Sequence, residues 1–348
     1  MKAINITNAG TRWRVFEEEK IRKHFGDIMN LRIGDVTATK YLYQELLRSG
    51  VKAEDITVFW RPNSDHINKN ELEMMMDQAE VLKDCHSVND PTNYLNSHAK
   101  EKAFEVWDKS EVRCPKHIVI EDNDTFIKEN TLSYPFLIRL NNEVTGRGSY
   151  LVNNEEELRQ SLGYLESDWK RAVMTNHFTK RIAVEFVDAT KEEGKYNLSY
   201  RIIVAGDKVI TGYARLSEAK DWVAITGKFK TEMQDSFVKY QKRCQEVIEN
   251  NHDTICNAVK SLGLNHQGVD IIENQDGELY FLECQPGYST GYSDWPKPFY
   301  NPHYPELVSF LTENEERLKE EIPMYYNKWL NKEALFEEVF HNLKRGKQ

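Results

Sequence analysis

What the 348-residue sequence lacks narrows it first. No apolar run approaches the roughly 18 residues of a membrane-spanning helix, so no such span is expected. The first residues, MKAINITNAGTRWRVFEEEK, hold neither an apolar stretch nor a small-residue cleavage site, and no secretory signal is expected. Cysteine is sparse: Cys85, Cys114, Cys244, Cys256 and Cys284 are odd in number, scattered and without a CxxC pair. That pattern argues for reduced thiols in a cytoplasm and against a disulfide framework or a zinc site. Positive charge is outweighed, with a formal net charge of −10. General nucleic-acid affinity, which depends on neutralising phosphates, is therefore not expected, although a local basic pocket for a nucleotide is allowed. The GxxxxGK[ST] phosphate loop is absent, as are repeats and low-complexity segments. These exclusions leave a soluble cytoplasmic protein, long enough for two or three domains with a sizeable core.

What is present reads as alternating helices and strands. In a first unit, residues 1–95, Tyr41, Leu42, Leu46 and Leu47 recur at helical spacing over 35–50, and Gly50 stops that helix. ITVFW at 56–60 predicts a strand, and 71–82 a helix whose methionines are packing. SVNDPTN at 87–93 has linker composition. A new helix is expected from Ser97 as N-cap, followed by strands over 117–120 and 135–140, a small-residue loop leading into a strand within 141–152, and strands over 180–187, 200–204 and 208–215. Helices are expected over 155–165 and 237–262, the latter with apolar residues recurring every three or four positions. The tail, 305–348, is helical and expected on the outside of the fold.

The stretch that carries chemistry is HQGVDIIENQDGELYFLECQPGYSTGY, residues 266–292. NQDG supplies the residues of a hairpin reversal between two short strands. Asp270 lies on the first strand, Glu283 ends the second, and Gln285 follows two residues on. Side chains alternate along a strand, so Glu283 and Gln285 share a face that Asp270 reaches if the strands pair. Two carboxylates and an amide oxygen suit a hard cation such as Mg²⁺; an exposed hairpin with solvated acids is the competing reading. Arg139 inside the apolar PFLIRL strand suggests either a fixed anion or a structural salt bridge. GRG at 146–148 suits close approach of backbone N–H groups to phosphate, or an ordinary turn. Lys100 and Lys102, at a helix start, read by themselves as solvated surface lysines.

Taken in order, these elements resemble the ATP-grasp superfamily over roughly residues 87–292. GVDII…LYFLECQPG is similar to that family's closing signature, an Asp on one strand followed by Glu-x-Asn near a Pro-Gly turn. The resemblance implies an α+β fold of two lobes clasping ATP behind a smaller α/β N-terminal domain. Expected boundaries are 1–95 for that domain, 96–180 for the small lobe with its glycine-rich flap, 181–304 for the large lobe and 305–348 for the helical tail. It makes Asp270, Glu283 and Gln285 ligands of Mg²⁺, for which Mn²⁺ could substitute. Lys100, rather than Lys102, would touch the α- and β-phosphates, and Arg139 stands where the family usually has a second phosphate-binding Lys. Arg keeps the charge and adds bidentate reach, while Gln285 in place of Asn lengthens one ligand arm. Gly146, Arg147, Gly148 and Ser149 match the flap over the phosphates. Glu185, Phe186 and Val187 match the hinge that reads adenine; Asp188, Glu192 or Glu193 would hold the ribose. Arg201 and Arg215 match hairpin positions that face the transferred phosphate or the acyl substrate.

The activity implied is ATP-dependent joining of a carboxylate to an amine through an acyl-phosphate, with ATP as cofactor and small-molecule carboxylate and amine substrates as partners. Neither nucleic acid nor a membrane is implied, and a homodimer is allowed. Such catalysis is positioning and electrostatics and needs no Ser/His/Asp nucleophile. Cys284, between two proposed ligands, should face the core. Three rivals share these residues: a kinase that leaves the phosphate on its acceptor, a non-catalytic ATP-binding protein, and a ligase acting on a sugar or polymer stacked on the aromatics of 288–304.

Overall fold

The computed structural model describes residues 2–7, 15–62, 68–143, 148–175, 177, 179–219, 229–285 and 305–345. The first unit alternates β1 (Lys2–Thr7), α1 (Val15–Phe25), β2 (Asp27–Arg32), α2 (Val36–Arg48), β3 (Ile56–Arg61), α3 (Lys69–Val81) and β4 (His86–Val88). Its sheet is parallel with order β2-β1-β3-β4. Both faces are buried, as right-handed crossover connections demand. Ile4, Ile6 and Val58 meet Leu46, Leu72 and Met75 on one side; Ala3 and Phe59 meet Ile21 and Phe25 on the other. Asp35 caps α2 by accepting from the Ala38 N–H, and Asn68 with Glu71 makes a capping box on α3. The segment expected as a linker, 87–93, thus holds the last two residues of β4, a strand of three residues and so too short for a periodic signal.

Two antiparallel sheets follow. Ser97 is not a helix cap: α4 (Tyr94–His98) ends at Ala99, and α5 (Lys100–Lys109) starts at once beyond it. The extended backbone of Ala99 (φ −99°, ψ 112°) breaks what reads as one helix, so Lys100 opens the second. After β5 (His117–Val119), α6 (Asn123–Glu129), β6 (Phe136–Leu140), β7 (Ser149–Val152), α7 (Glu155–Met174) and β8 (Arg181–Glu185), the small sheet has order β5-β8-β6-β7. α7 covers it with Leu158, Leu162 and Leu165 and runs about two turns past its expected end.

The large sheet contains β9 (Thr190–Lys191), β10 (Tyr196–Ala205), β11 (Lys208–Glu218), then, after α8 (Gln234–Ser261), β12 (His266–Glu273) and β13 (Leu279–Gln285). Its order is β11-β10-β12-β13, with β9 beside β10. One face, including Tyr200, Ile202, Val269, Ile271 and Cys284, packs on α8 and on Ala103, Phe104 and Trp107 of α5. The helix that begins at Lys100 therefore docks on the large sheet, with the Trp107 indole donating to the Ala258 carbonyl at 2.8 Å.

The tail consists of α9 (Pro305–Glu313), α10 (Glu315–Glu321), a π-type turn (Met324–Trp329) and α11 (Lys332–Arg345), which expose residues such as Glu316 and Glu333 on one side and pack inward on the other. They fill a core shared by the first unit and the opposite face of the large sheet. Phe340 meets Phe25 and Phe59 edge to face, and Trp329 stacks on Tyr213 at 4.2 Å. Glu337 receives Lys23 at 2.6 Å and His24 at 2.9 Å. An amphipathic pattern identifies an apolar stripe but not the surface that covers it. Trp329→Ala should destabilise the chain by about 3–5 kcal/mol, the usual cost of removing a fully buried aromatic. A denaturant midpoint unchanged from the parent chain would contradict this packing.

Candidate active site

β10 alternates, so Ser199 and Arg201 stand on the face that, further along, presents Ile203 and Ala205 to the tail. Register sets Arg201 opposite Asp270, and Asp270 opposite Glu283. A single cross-strand row thus runs from arginine through two carboxylates. Arg201 grips Asp270 bidentately, Nε to Oδ1 and Nη2 to Oδ2, both at 2.7 Å. Arg215, directly opposite Ser199, adds Nη2 to Oδ2 at 3.0 Å while its Nε donates to the Ser199 hydroxyl at 3.1 Å. Burial opposes ionisation of Asp270, yet the two guanidinium groups overcome it and hold the carboxyl well below the usual range. Burial also opposes the charge on Glu283; Lys100, 2.8 Å away, and Arg139 outweigh burial and Asp270, and the net direction is down. Gln285 lies on the same face and donates Nε2 to Glu283 Oε1 at 2.6 Å.

From the other side come Lys100 and Arg139. Lys100 is only 7% exposed, which overturns the solvated-lysine alternative; burial makes it easier to deprotonate, partly offset by Glu283. Lys102 instead pairs with Glu105 along the helix. Arg139 donates Nη2 to the Glu143 carbonyl at 2.9 Å and Nε to the Leu140 carbonyl at 3.2 Å. Among the described residues no carboxylate lies within salt-bridge distance of it, and Glu283 and Glu143 act on its charge from further away. Lys100 Nζ donates to the same Glu143 carbonyl at 3.2 Å. The two cations therefore meet at one backbone oxygen.

Ser149 stands opposite Arg139 in register, and the Gly148 carbonyl accepts from the Leu140 N–H at 3.2 Å. Gly148 has φ +56°, in the left-handed region that suits glycine. Gly146 and Arg147 lie outside the described residues. Glu185 ends β8 with its carboxylate accepting from the Lys116 N–H at 3.1 Å, and Phe186 and Val187 follow, half-buried. Glu192 is not brought to the charged row: it accepts from Ser236 at 2.9 Å and Lys239 at 3.2 Å, at the start of α8. Asp188 is turned onto the Thr190 N–H at 2.9 Å. Cys284 is buried among Val269 and Phe281, and burial pushes its thiol far up. Sequence reasoning missed the Glu143 carbonyl, the Ser199 hydroxyl and Glu101. A backbone oxygen carries no side-chain signal, and Ser199 is one polar residue among the alternations of a strand.

Mg²⁺ fits the donor chemistry, since Asp270 and Glu283 are ionised cross-strand neighbours with an amide beside them. Among the described residues no group of three or more His, Cys, Asp or Glu is placed to hold a metal, so Gln285 would supply the third oxygen.

The charged row on one sheet face is met by one cation from the start of α5 and one from the small sheet, where the resemblance to the ATP-grasp superfamily expects the phosphates of ATP. The sequence matches the RimK-like ATP-grasp domain over residues 97–291, more than half of the chain, and the protein belongs to that family, among the ATP-grasp ligases. No curated protein matches the sequence at a significant level. Among solved structures it is similar to an L-amino acid ligase from Bacillus licheniformis, at 15% identity and a TM-score of 0.52, covering 89% of this chain and 75% of that one. N5-carboxyaminoimidazole synthetase from Staphylococcus aureus, complexed with ADP, shares 13% identity at a TM-score of 0.51, over 84% of this chain and 72% of the other. The ATP-grasp ligase PsnB, complexed with precursor peptide PsnA2 and AMPPNP, shares 11% at 0.50, over 89% and 96%. At such identities the likeness is one of fold.

Burial also depresses histidines around the site and at its supports. His98, stacked on Tyr94, is lowered to about 4, His266 to about 3, and His24 and His117 shift in the same direction. The unfolded chain titrates near 6.5, so between pH 6.5 and 4 it takes up protons that the folded chain refuses. Stability should be intact at neutral pH and fall as the pH drops, by up to ~1.4 kcal/mol per pH unit for each such histidine. Denaturant midpoints at pH 7, 6 and 5 check this; His98→Gln should flatten the slope, and identical midpoints across the series would refute it.

Proposed function

We propose that this protein is an ATP-dependent carboxylate–amine ligase forming an amide or peptide bond through an acyl-phosphate. One observation carries the reading: the Arg201–Asp270–Glu283 row of the large sheet is joined, through the Lys100–Glu283 ion pair, to the two cations that share the Glu143 carbonyl. Five charges of both signs gathered at one place suit a polyanion and a divalent cation far better than they suit a packed core. The family membership and the fold shared with an L-amino acid ligase support the same chemistry.

In this reading Lys100 and Arg139 hold the phosphates of ATP, beneath a flap of Gly146, Arg147, Gly148 and Ser149. Glu185, Phe186 and Val187 border the adenine. The ribose falls to Asp188, Glu192 or Glu193; the present bonds of Glu192 to Ser236 and Lys239 count against it. Asp270, Glu283 and Gln285 would hold Mg²⁺, which when bound supplies charge neutralisation at the phosphoryl oxygens. Arg201 spends two donors on Asp270 and fixes its orientation. Arg215 makes only one bond to that carboxylate and so is better placed to turn to the γ-phosphoryl group. The substrate carboxylate attacks the γ-phosphorus and ADP leaves. An amine then attacks the acyl carbon, phosphate departs, and the amine proton is lost. Flap closure excludes the water that would otherwise hydrolyse the acyl-phosphate.

ADP release should be screened against pooled amino acids, amines and small acids, with mass spectrometry of the products. Product lighter by one water than its two components supports the ligase; a phosphorylated acceptor with no amide would overturn it in favour of a kinase. Glu283→Ala should abolish turnover, both by removing a ligand and by leaving Lys100 buried without its carboxylate. Arg139→Ala should lose most nucleotide affinity, whereas Arg139→Lys should keep substantial activity. Normal turnover in the Glu283 variant would show that the metal site is wrongly assigned.

A further inference from the structure

Glu101 is a carboxylate only 1% exposed, on the first turn of α5, and the chemistry above makes no use of it. Burying such a group without partners would be costly, so what it binds matters. Its Oε2 accepts from Asn141 Nδ2 at 2.7 Å, while Lys180, half-exposed, stands 3.5 Å from Oε1. The amide is the closer and the drier partner.

Asn141 is itself 3% exposed, and all its polar groups are engaged. Its backbone carbonyl accepts from the Lys100 N–H at 3.2 Å. The backbone N–H donates to the Lys180 carbonyl at 3.0 Å, and Oδ1 accepts from the Lys180 N–H at 2.9 Å. One residue thus ties the beginning of α5, the end of β6 and the approach to β8. Arg139 lies two positions before it and Glu143 two positions after, and the Glu143 carbonyl is the oxygen on which Lys100 and Arg139 converge. The α5 helix shares one apolar cluster with the large sheet and with Leu137, Ile182 and Val184 of the small one, and Asn141 adds a polar tie to that packing at the end where the two cations lie.

We propose that Glu101 is a positioning residue: through Asn141 it holds Lys100 and Arg139 at a fixed separation, preorganised for the phosphates of the nucleotide. The proposal rests on the assignment of Lys100 and Arg139 to those phosphates. Two fixed donors cost less to order on binding than two mobile ones, so the effect falls on nucleotide affinity.

The test is equilibrium binding of a non-hydrolysable ATP analogue with Mg²⁺ to the full chain, with thermal unfolding recorded in parallel. Glu101→Gln keeps an oxygen for the Asn141 amide and should bind within about threefold of the parent. Glu101→Leu and Asn141→Ala, which break the tie in different ways, should each weaken binding by about tenfold, the scale of one good hydrogen bond. In a Lys100→Ala background the same changes should add little, because the cation they position is gone. A purely structural role would lower the unfolding temperature equally in both backgrounds and weaken binding additively, and that result would overturn the proposal. So would unaltered affinity in folded Glu101→Leu or Asn141→Ala, or a Glu101→Gln variant as weak as Glu101→Leu. Lys100→Ala binding like the parent would instead sink the underlying assignment, whatever the Glu101 variants do.

Discussion

The Asp270 carboxylate, clamped by Arg201 and touched by Arg215, is the contact on which the rest of the candidate site depends. A carboxylate this deeply buried would be neutral if left alone; two guanidinium groups keep it charged. Its charge in turn pushes Glu283 towards protonation, and Lys100 and Arg139 outweigh that push, so three strands present like and unlike charges in one row. Removing either arginine would leave the remaining charges poorly compensated, a costlier state than never having buried them. The cluster is therefore poor evidence of stability for its own sake and fits a binding site for charged groups better.

The surrounding architecture serves to hold that row rigid and to bring a second sheet to it. The large sheet is packed on one face by α8 and α5. On its other face the tail covers the end of β10 beyond Arg201, so the charged row begins where the apolar side chains stop. The tail packs the first unit against the large sheet through Phe340, Phe25 and Phe59, beside the direct hydrogen bonds of Ser87 and Asn89 to Asn265 and His266. The small sheet contributes Arg139, with Ser149 opposite it in register. Its link to α5 combines the hydrogen bonds of Asn141 and Glu143 with packing of Ile182 and Val184 on Ala103, Phe104 and Trp107.

Much of this was legible in the residues. Period-two alternation placed Glu283 and Gln285 on one face and Cys284 on the other, and all three lie so. An arginine in an otherwise apolar strand was a local contradiction, and such contradictions mark function more often than chance. Helix 237–262 was plain from its apolar spacing, although its kink at Asn251, where the side chain bonds back to the Val247 carbonyl, was not. The break at Ala99 was equally hidden, because no proline or glycine marks it. Yet that break is what puts Lys100 at a helix start beside Glu283.

Strand identity, the turn of the closing hairpin and the chemical types gathered there followed from sequence alone, since side-chain alternation and turn chemistry are local properties of a chain. Which charges meet did not follow. Arg201 lies 69 positions from Asp270, and Lys100 further still from Glu283. Only the register of β10, β12 and β13, and the docking of α5 on the large sheet, could bring them together. Those are set by the packing of whole faces, where a one-residue slip would send every side chain of a strand to the other side.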